Sequence, residues 1–170
     1  MSFQDAKDDE PWYVVYTKRG QEFRALEQLQ NQQYACYLPT LSVQRTRPGG
    51  KRETMLEPLF ARYLFIQSQS AMGNLTRIRS TRGVSRLVAF GDRLATLPGD
   101  FVTALMQRPH MVEQTPFQPG ERVAINSGPF AGLEGIYQAP DGEARALILV
   151  DLMRQPRKLK LAVDMLSKAS

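Results

Sequence analysis

Arg24, Gln28 and Gln32 stand four residues apart, and on a helix that spacing lines them up as one polar ridge. A separate, basic group, Arg45, Arg47 and Arg52, flanks the turn Pro48-Gly49-Gly50-Lys51. Such groups either bind a polyanion or form a solvated surface, and on spacing alone the solvated surface is the plainer reading. Bond-making chemistry is poorly supplied. With one histidine (His110) and one cysteine (Cys36), no multi-His or Cys/His metal set can be assembled, and an internal disulfide is excluded. Neither a phosphate-cradling glycine loop nor a nucleophile elbow is present. The chain reads as a non-enzyme with no cofactor or metal.

The elements that must position these residues are arranged around Glu57–Ile66 (Glu-Pro-Leu-Phe-Ala-Arg-Tyr-Leu-Phe-Ile). Tyr63 to Ile66 has the content of a central strand, with Pro58 at its entry, and apolar residues load both of its faces. Either both faces are covered inside the fold, or one docks a partner. Trp12 to Thr17 reads as a buried strand, Lys18-Arg19-Gly20 as a turn, and Gln21 to Gln32 as a helix. Phe23, Leu26 and Leu29 are expected on its core face. Residues 35–47 read as extended, Met72–Ser80 as a short helix, and Leu87 to Phe90 as a strand. Gly99-Asp100 opens a helix with Phe101, Val102, Leu105 and Met106 as its apolar positions. This order predicts an α+β layer, helices on a mixed or antiparallel sheet.

Residues 1–10 are expected to be a disordered acidic tail, 11–106 a first domain, 107–118 a linker with Pro109 and Pro116, and 119–170 a second small domain. The 170 residues carry a formal charge of +5. Residues 11–106 hold thirteen Lys/Arg against six Asp/Glu, and 107–170 hold eight against seven. The positive field belongs to the first domain and favours a polyanionic partner there. No apolar run approaches the ~20 residues of a membrane span, so the expected location is the cytoplasm.

Pro119-Gly120-Glu121-Arg122-Val123 followed by Gly128-Pro129-Phe130-Ala131-Gly132 resembles the KOW motif of ribosomal and elongation proteins. Joined to residues 12–21, Gly50-Lys51-Arg52, 57–65, Thr81-Arg82-Gly83-Val84-Ser85 and Pro140-Asp141-Gly142-Glu143-Ala144-Arg145, the pattern resembles the NusG family, and within it the RfaH-like branch. The resemblance spans roughly residues 11–165. It implies a monomeric transcription antiterminator that docks on the β′ clamp helices of RNA polymerase through Tyr16, Phe60, Tyr63, Phe65, Val102 and Leu105. It implies that Lys18, Arg24, Gln28, Gln32, Thr81 and Arg82 face the non-template DNA strand of a paused complex, with Gln28 where the branch has a histidine. Arginine and glutamine can pair with purine edges. Asn74-Leu75-Thr76-Arg77 stands at the segment that touches the β-subunit gate loop, and keeps only Thr76 of the branch's His-Thr-Thr-Thr. The KOW domain would engage a small-subunit ribosomal protein. The alternatives are a general NusG-like factor without DNA specificity and a ribosome-binding KOW protein.

The resemblance also implies that the C-terminal domain exists as an α-helical hairpin docked on the polymerase-binding patch or as a five-stranded β-barrel, with Glu57 and Arg145 locking the docked form. The helical form is expected in the free protein. Residues 144–153 fit both readings: Ala144, Leu147, Ile148 and Leu152 make a helical face, while Leu147 to Val150 is an apolar β run. Pro156 requires the last helix to end by about Arg154.

Overall fold

The structure, a computed structural model, describes residues 10–107, 111–113, 136 and 139–160. Strand β1 (Trp12–Thr17) lies at the centre of the main sheet. It pairs antiparallel with β5 (Tyr63–Gln67) on one side and β6 (Val84–Leu87) on the other. Short β2 (Cys36–Tyr37) adds to β5, and β9 (Thr96–Leu97) adds to β1. Strands β3 (Thr40–Thr46) and β4 (Arg52–Pro58) form a long hairpin beside it. Gly49 and Gly50 turn its tip at φ 106° and 86°, a region that costs glycine nothing. Strands β7 (Ala89–Phe90) and β8 (Arg93–Leu94) make a small ribbon.

Strand alternation divides the core in two. Val15, Leu64 and Ile66 point to the face covered by α1 (Glu22–Asn31) and α3 (Leu75–Arg79), where Ala25, Leu29 and Ile78 complete the packing. Trp12, Val14 and Phe65 point to the other face and meet Phe101, Val102 and Leu105 of α4 (Gly99–Gln107). The strand that carries apolar residues on both sides is thus covered on both sides.

The second cover comes largely from the C-terminal segment. Helix α5 (Gly142–Arg154) sends Ala146, Leu149, Leu152 and Met153 into the cluster of Phe60, Phe65, Val102 and Leu105, and Ile136 and Leu159 join them. Burial of each leucine contributes ~1.5–3 kcal/mol. Asp141 caps the helix, its Oδ1 accepting from Ala144 N at 2.8 Å. Gln155 closes it, and residues 156–160 form a separate helical turn opened by Pro156, where a missing N–H does no harm. The described C-terminal residues therefore have the helical form. Those expected to hold the KOW signature, and the first arm of the hairpin apart from the helical Ile136, lie outside the described residues.

Several expectations need correction. Phe23 is not a core residue: it is 47% exposed, and α1 buries Glu22, Ala25 and Leu29 instead. Met106 is also exposed, and Leu147, placed on the helical face, is 72% exposed. The short helix begins at Leu75 rather than Met72, preceded by a one-turn helix, α2 (Ser68–Ala71). Pro58 ends β4 rather than opening β5. Part of the expected linker is a strand: β10 (Met111–Glu113) pairs parallel with β3, Val112 opposite Val43. Glu10, assigned to a free tail, accepts from Gln69 N at 2.7 Å, and residues 1–9 lie outside the description.

Candidate functional site

The polar residues singled out in the sequence gather where the β1–α1 turn meets the turn before β6. Gly83, at φ 90°, lies so near α1 that a Cβ there would stand 2.9 Å from Ala25 N. Its carbonyl accepts from Lys18 N at 2.8 Å, which fastens the two turns together. Lys18, Arg24 and Arg82 are exposed on the resulting surface, and Gln28 and Gln32 are half-buried.

Thr81 differs from the others, being only 7% exposed. Its hydroxyl donates to the Arg77 carbonyl at 2.9 Å and accepts from Gln32 Nε2 at 3.0 Å. The same Gln32 nitrogen donates to the Gln28 carbonyl at 3.1 Å. A main-chain carbonyl only accepts, which fixes the orientation of the carboxamide. Both Gln32 N–H groups are therefore used internally, and its oxygen alone remains to receive an outside donor. Thr81 acts here as a brace rather than a contact surface.

The six apolar residues are brought together, but not as an open patch. Phe60, Phe65 and Leu105 are fully buried, Val102 nearly so, and Tyr16 and Tyr63 are half-buried at the edge of the same cluster. Their cover is α5. Arg145, only 3% exposed, enters from that helix, where its Nε donates to the Leu59 carbonyl and its Nη1 to the Ala139 carbonyl at 3.4 Å. In return Ala61 N donates to the Gly142 carbonyl at 3.0 Å. Burial pulls the Arg145 guanidinium below its ordinary pKa, and the carboxylates of Glu57 and Asp141 act in the opposite direction. Glu57 sits half-buried at the end of β4, opposite Leu41.

Asn74 precedes α3, Leu75 is half-buried, and Thr76 and Arg77 are exposed, with their carbonyls accepting from Ser80 and Thr81. On the β3–β4 flap, Arg47 pairs with Glu53, while Arg52 is exposed. Burial pushes the pKa of the half-buried Cys36 up to about 12, which disfavours the thiolate form. Among the described residues no group of three His, Cys, Asp or Glu is placed to hold a metal, and no helix is long and apolar enough to cross a membrane.

Sequence reasoning passed over Arg62 and Arg86. The Arg62 guanidinium lies 4.2 Å from the centre of the Tyr16 ring and that of Arg86 5.0 Å; strand register places Arg86 there, and the turn before β5 places Arg62. No local pattern of residues signals it.

A family model described as transcription termination factor nusG matches residues 10–106. The transcription termination/antitermination protein NusG of Thermus thermophilus is 29% identical over 93% of this chain and 98% of its own length. The proteins of that name from Escherichia coli (28%, over 93% and 96%) and Deinococcus radiodurans (25%, over 92% and 98%) are similar along comparable spans. The match covers strands β1 to β9 with α1 to α3 and all but the last residue of α4, and the chain belongs to the NusG family of transcription termination and antitermination factors.

Proposed function

We propose that this protein is an RfaH-like elongation factor that docks on the β′ clamp helices of RNA polymerase, reads the non-template strand of a paused complex, and suppresses pausing and termination. The observation that carries this reading is that α5 of the chain itself covers Phe60, Phe65, Val102 and Leu105. A constitutively active factor gains nothing from covering its polymerase surface, whereas a factor recruited at selected sites does. In this reading α5 is displaced at a DNA element, Asn74 to Arg77 meet the β gate loop, and the freed C-terminal domain engages the ribosome as a KOW barrel. A general NusG-like factor is the second reading, favoured by the names of the relatives.

Tyr63 is the residue with which to test docking, because it is half-buried at the cluster's edge and its loss does not hollow the core. Aromatic anchors dominate interfaces, and Tyr63→Ala is expected to weaken binding to elongation complexes about tenfold. A folded Tyr63→Ala protein that binds like wild type would remove the docking assignment. Arg82→Ala is expected to relax preference at one non-template base by ~1–3 kcal/mol, read as recruitment to paused complexes with substituted strands. Equal weakening on every strand would make Arg82 a phosphate contact, and no change would favour the general factor.

A further inference from the structure

Tyr16 occupies a register position between two strands: Tyr63 stands opposite it on β5 and Arg86 opposite it on β6. Cross-strand partners share a face of the sheet, so the three side chains emerge together. The Tyr16 and Tyr63 rings lie 5.1 Å apart, tilted by 56°. Arg62 reaches the same ring from the turn before β5, its backbone held at φ 73°. That left-handed conformation is rare for a residue with a side chain, and three contacts hold it. Thr17 N donates to the Arg62 carbonyl at 2.8 Å, Arg62 Nε donates to the Thr17 carbonyl at 3.1 Å, and Arg62 N donates to Glu22 Oε2 at 3.4 Å. The Arg62 guanidinium is therefore preset, and among the described residues its two terminal nitrogens carry no hydrogen bond. Close by on the same apolar cluster, Arg154 of α5 lies 5.6 Å from the Phe90 ring.

Among the described residues, none of these three guanidiniums pairs with a carboxylate. The Glu22 oxygen serves the Arg62 main chain, and the Glu53 and Asp151 carboxylates pair elsewhere, with Arg47 and Lys158. The charges that act on the Tyr63 hydroxyl from its surroundings are Arg86, Arg62 and Arg154, beside the neighbouring Tyr16, with no acid among them. Unpaired arginines beside an apolar patch are a recognition surface with a defined complement, since the guanidinium fork matches a carboxylate in two parallel hydrogen bonds.

We infer that Arg62 and Arg86, braced on Tyr16, take carboxylates from the protein that docks on the adjoining apolar cluster. The partner surface is thus an apolar face bordered by Asp or Glu. A protein partner fits better than nucleic acid for two reasons. Tyr16 lies on the face of β1 opposite α1, where the DNA-reading ridge was expected, and alongside Phe60, Phe65 and Val102. Its ring is already engaged by two guanidiniums and Tyr63, which leaves little face for a base to stack on. The inference rests on the proposed polymerase docking and adds the chemistry of the partner's rim.

The test uses the full chain and RNA polymerase elongation complexes, with affinity measured across a salt series. Arg86 is exposed on β6, so its replacement leaves the core intact. Arg86→Gln is expected to weaken binding roughly fivefold at low salt and to flatten the salt dependence; Arg86→Glu is expected to weaken it more than tenfold. Arg86→Lys should restore only part of the loss, because lysine lacks the planar fork. Wild-type affinity and salt slope in both Arg86→Gln and Arg86→Glu would overturn the inference, and if Tyr63→Ala still weakens binding, docking itself stands. Amide exchange of residues 142–154, measured in parallel, guards against an indirect effect. Rising protection that accounts for the lost affinity would mean tighter docking of α5, and would also overturn it. So would an affinity loss confined to single-stranded DNA.

Discussion

Leu149→Ala is expected to loosen the C-terminal helix from the sheet while the rest of the fold stays in place. Leu149 is fully buried, and its packing lies in the cluster that α5 shares with Phe60, Phe65, Val102 and Leu105. A buried leucine cut to alanine costs ~2–5 kcal/mol, here drawn from the docking equilibrium, and 2 kcal/mol already changes a docked-to-free ratio about thirtyfold. The half of the core made by Val15, Leu29, Leu64 and Ile78 has no part in it. Amide exchange of residues 142–154 should accelerate by at least that factor while β1 and β5 keep their protection. Equal acceleration in β1 would show that sheet and helix unfold as one unit, and unchanged exchange in α5 would show that Leu149 does not hold it. In the proposed function the same variant binds polymerase with less dependence on the DNA element.

The second large effect is expected at Glu57. Arg145 is nearly inaccessible to water, and the Glu57 and Asp141 carboxylates offset the penalty of burying its charge. Removing one acid leaves a buried cation poorly compensated, at a cost of ~2 kcal/mol or more. Glu57→Ser should therefore release α5 about thirtyfold more often, seen as loss of helical signal and faster exchange in residues 142–154. The exchange Glu57→Arg with Arg145→Glu should restore docking only in part, because a glutamate at 145 cannot donate to the Leu59 and Ala139 carbonyls as Arg145 does. If Glu57→Ser leaves α5 as protected as in wild type, Asp141 and the two carbonyls suffice and Glu57 is no lock.

Two errors in reading the sequence have one physical cause. On α1 the apolar spacing grouped Phe23 with Leu26 and Leu29, and on α5 it grouped Leu147 with Ala144, Ile148 and Leu152; Leu29 and Leu152 are buried, but Phe23 and Leu147 are exposed, so each expected face was rotated from the true one. In each case a charged residue lies inside: Glu22, whose carboxylate receives Arg62 N, and Arg145, which bonds to two carbonyls. A hydrophobic period counts such residues as outward and rotates the helix accordingly. Ala25 adds to this, because its burial follows from the close approach of Gly83, a matter of size rather than polarity. Where burial follows apolar content, as in Val14, Leu64, Phe65 and Phe101, the pattern was legible. The doubly loaded strand announced that something must cover each face or dock there; that the cover would come from the chain's own end was implied by the family resemblance and by nothing in the strand itself. Strand β10 was hidden for another reason: three residues carry no period, and their partner β3 lies some seventy positions away.

Helix α5 is bounded at both ends, by the Asp141 cap and by the break before Pro156, and so spans thirteen residues. A helix of that length is marginal in water, because the cost of nucleation is spread over too few hydrogen bonds. Its order is thus borrowed from Phe60, Phe65 and Val102 rather than intrinsic to its sequence. Were the segment to leave the sheet, it would lose its helix in the same event and melt rather than depart as a rigid rod. A chain that melts on release is free to take up a different architecture without first unfolding a stable one.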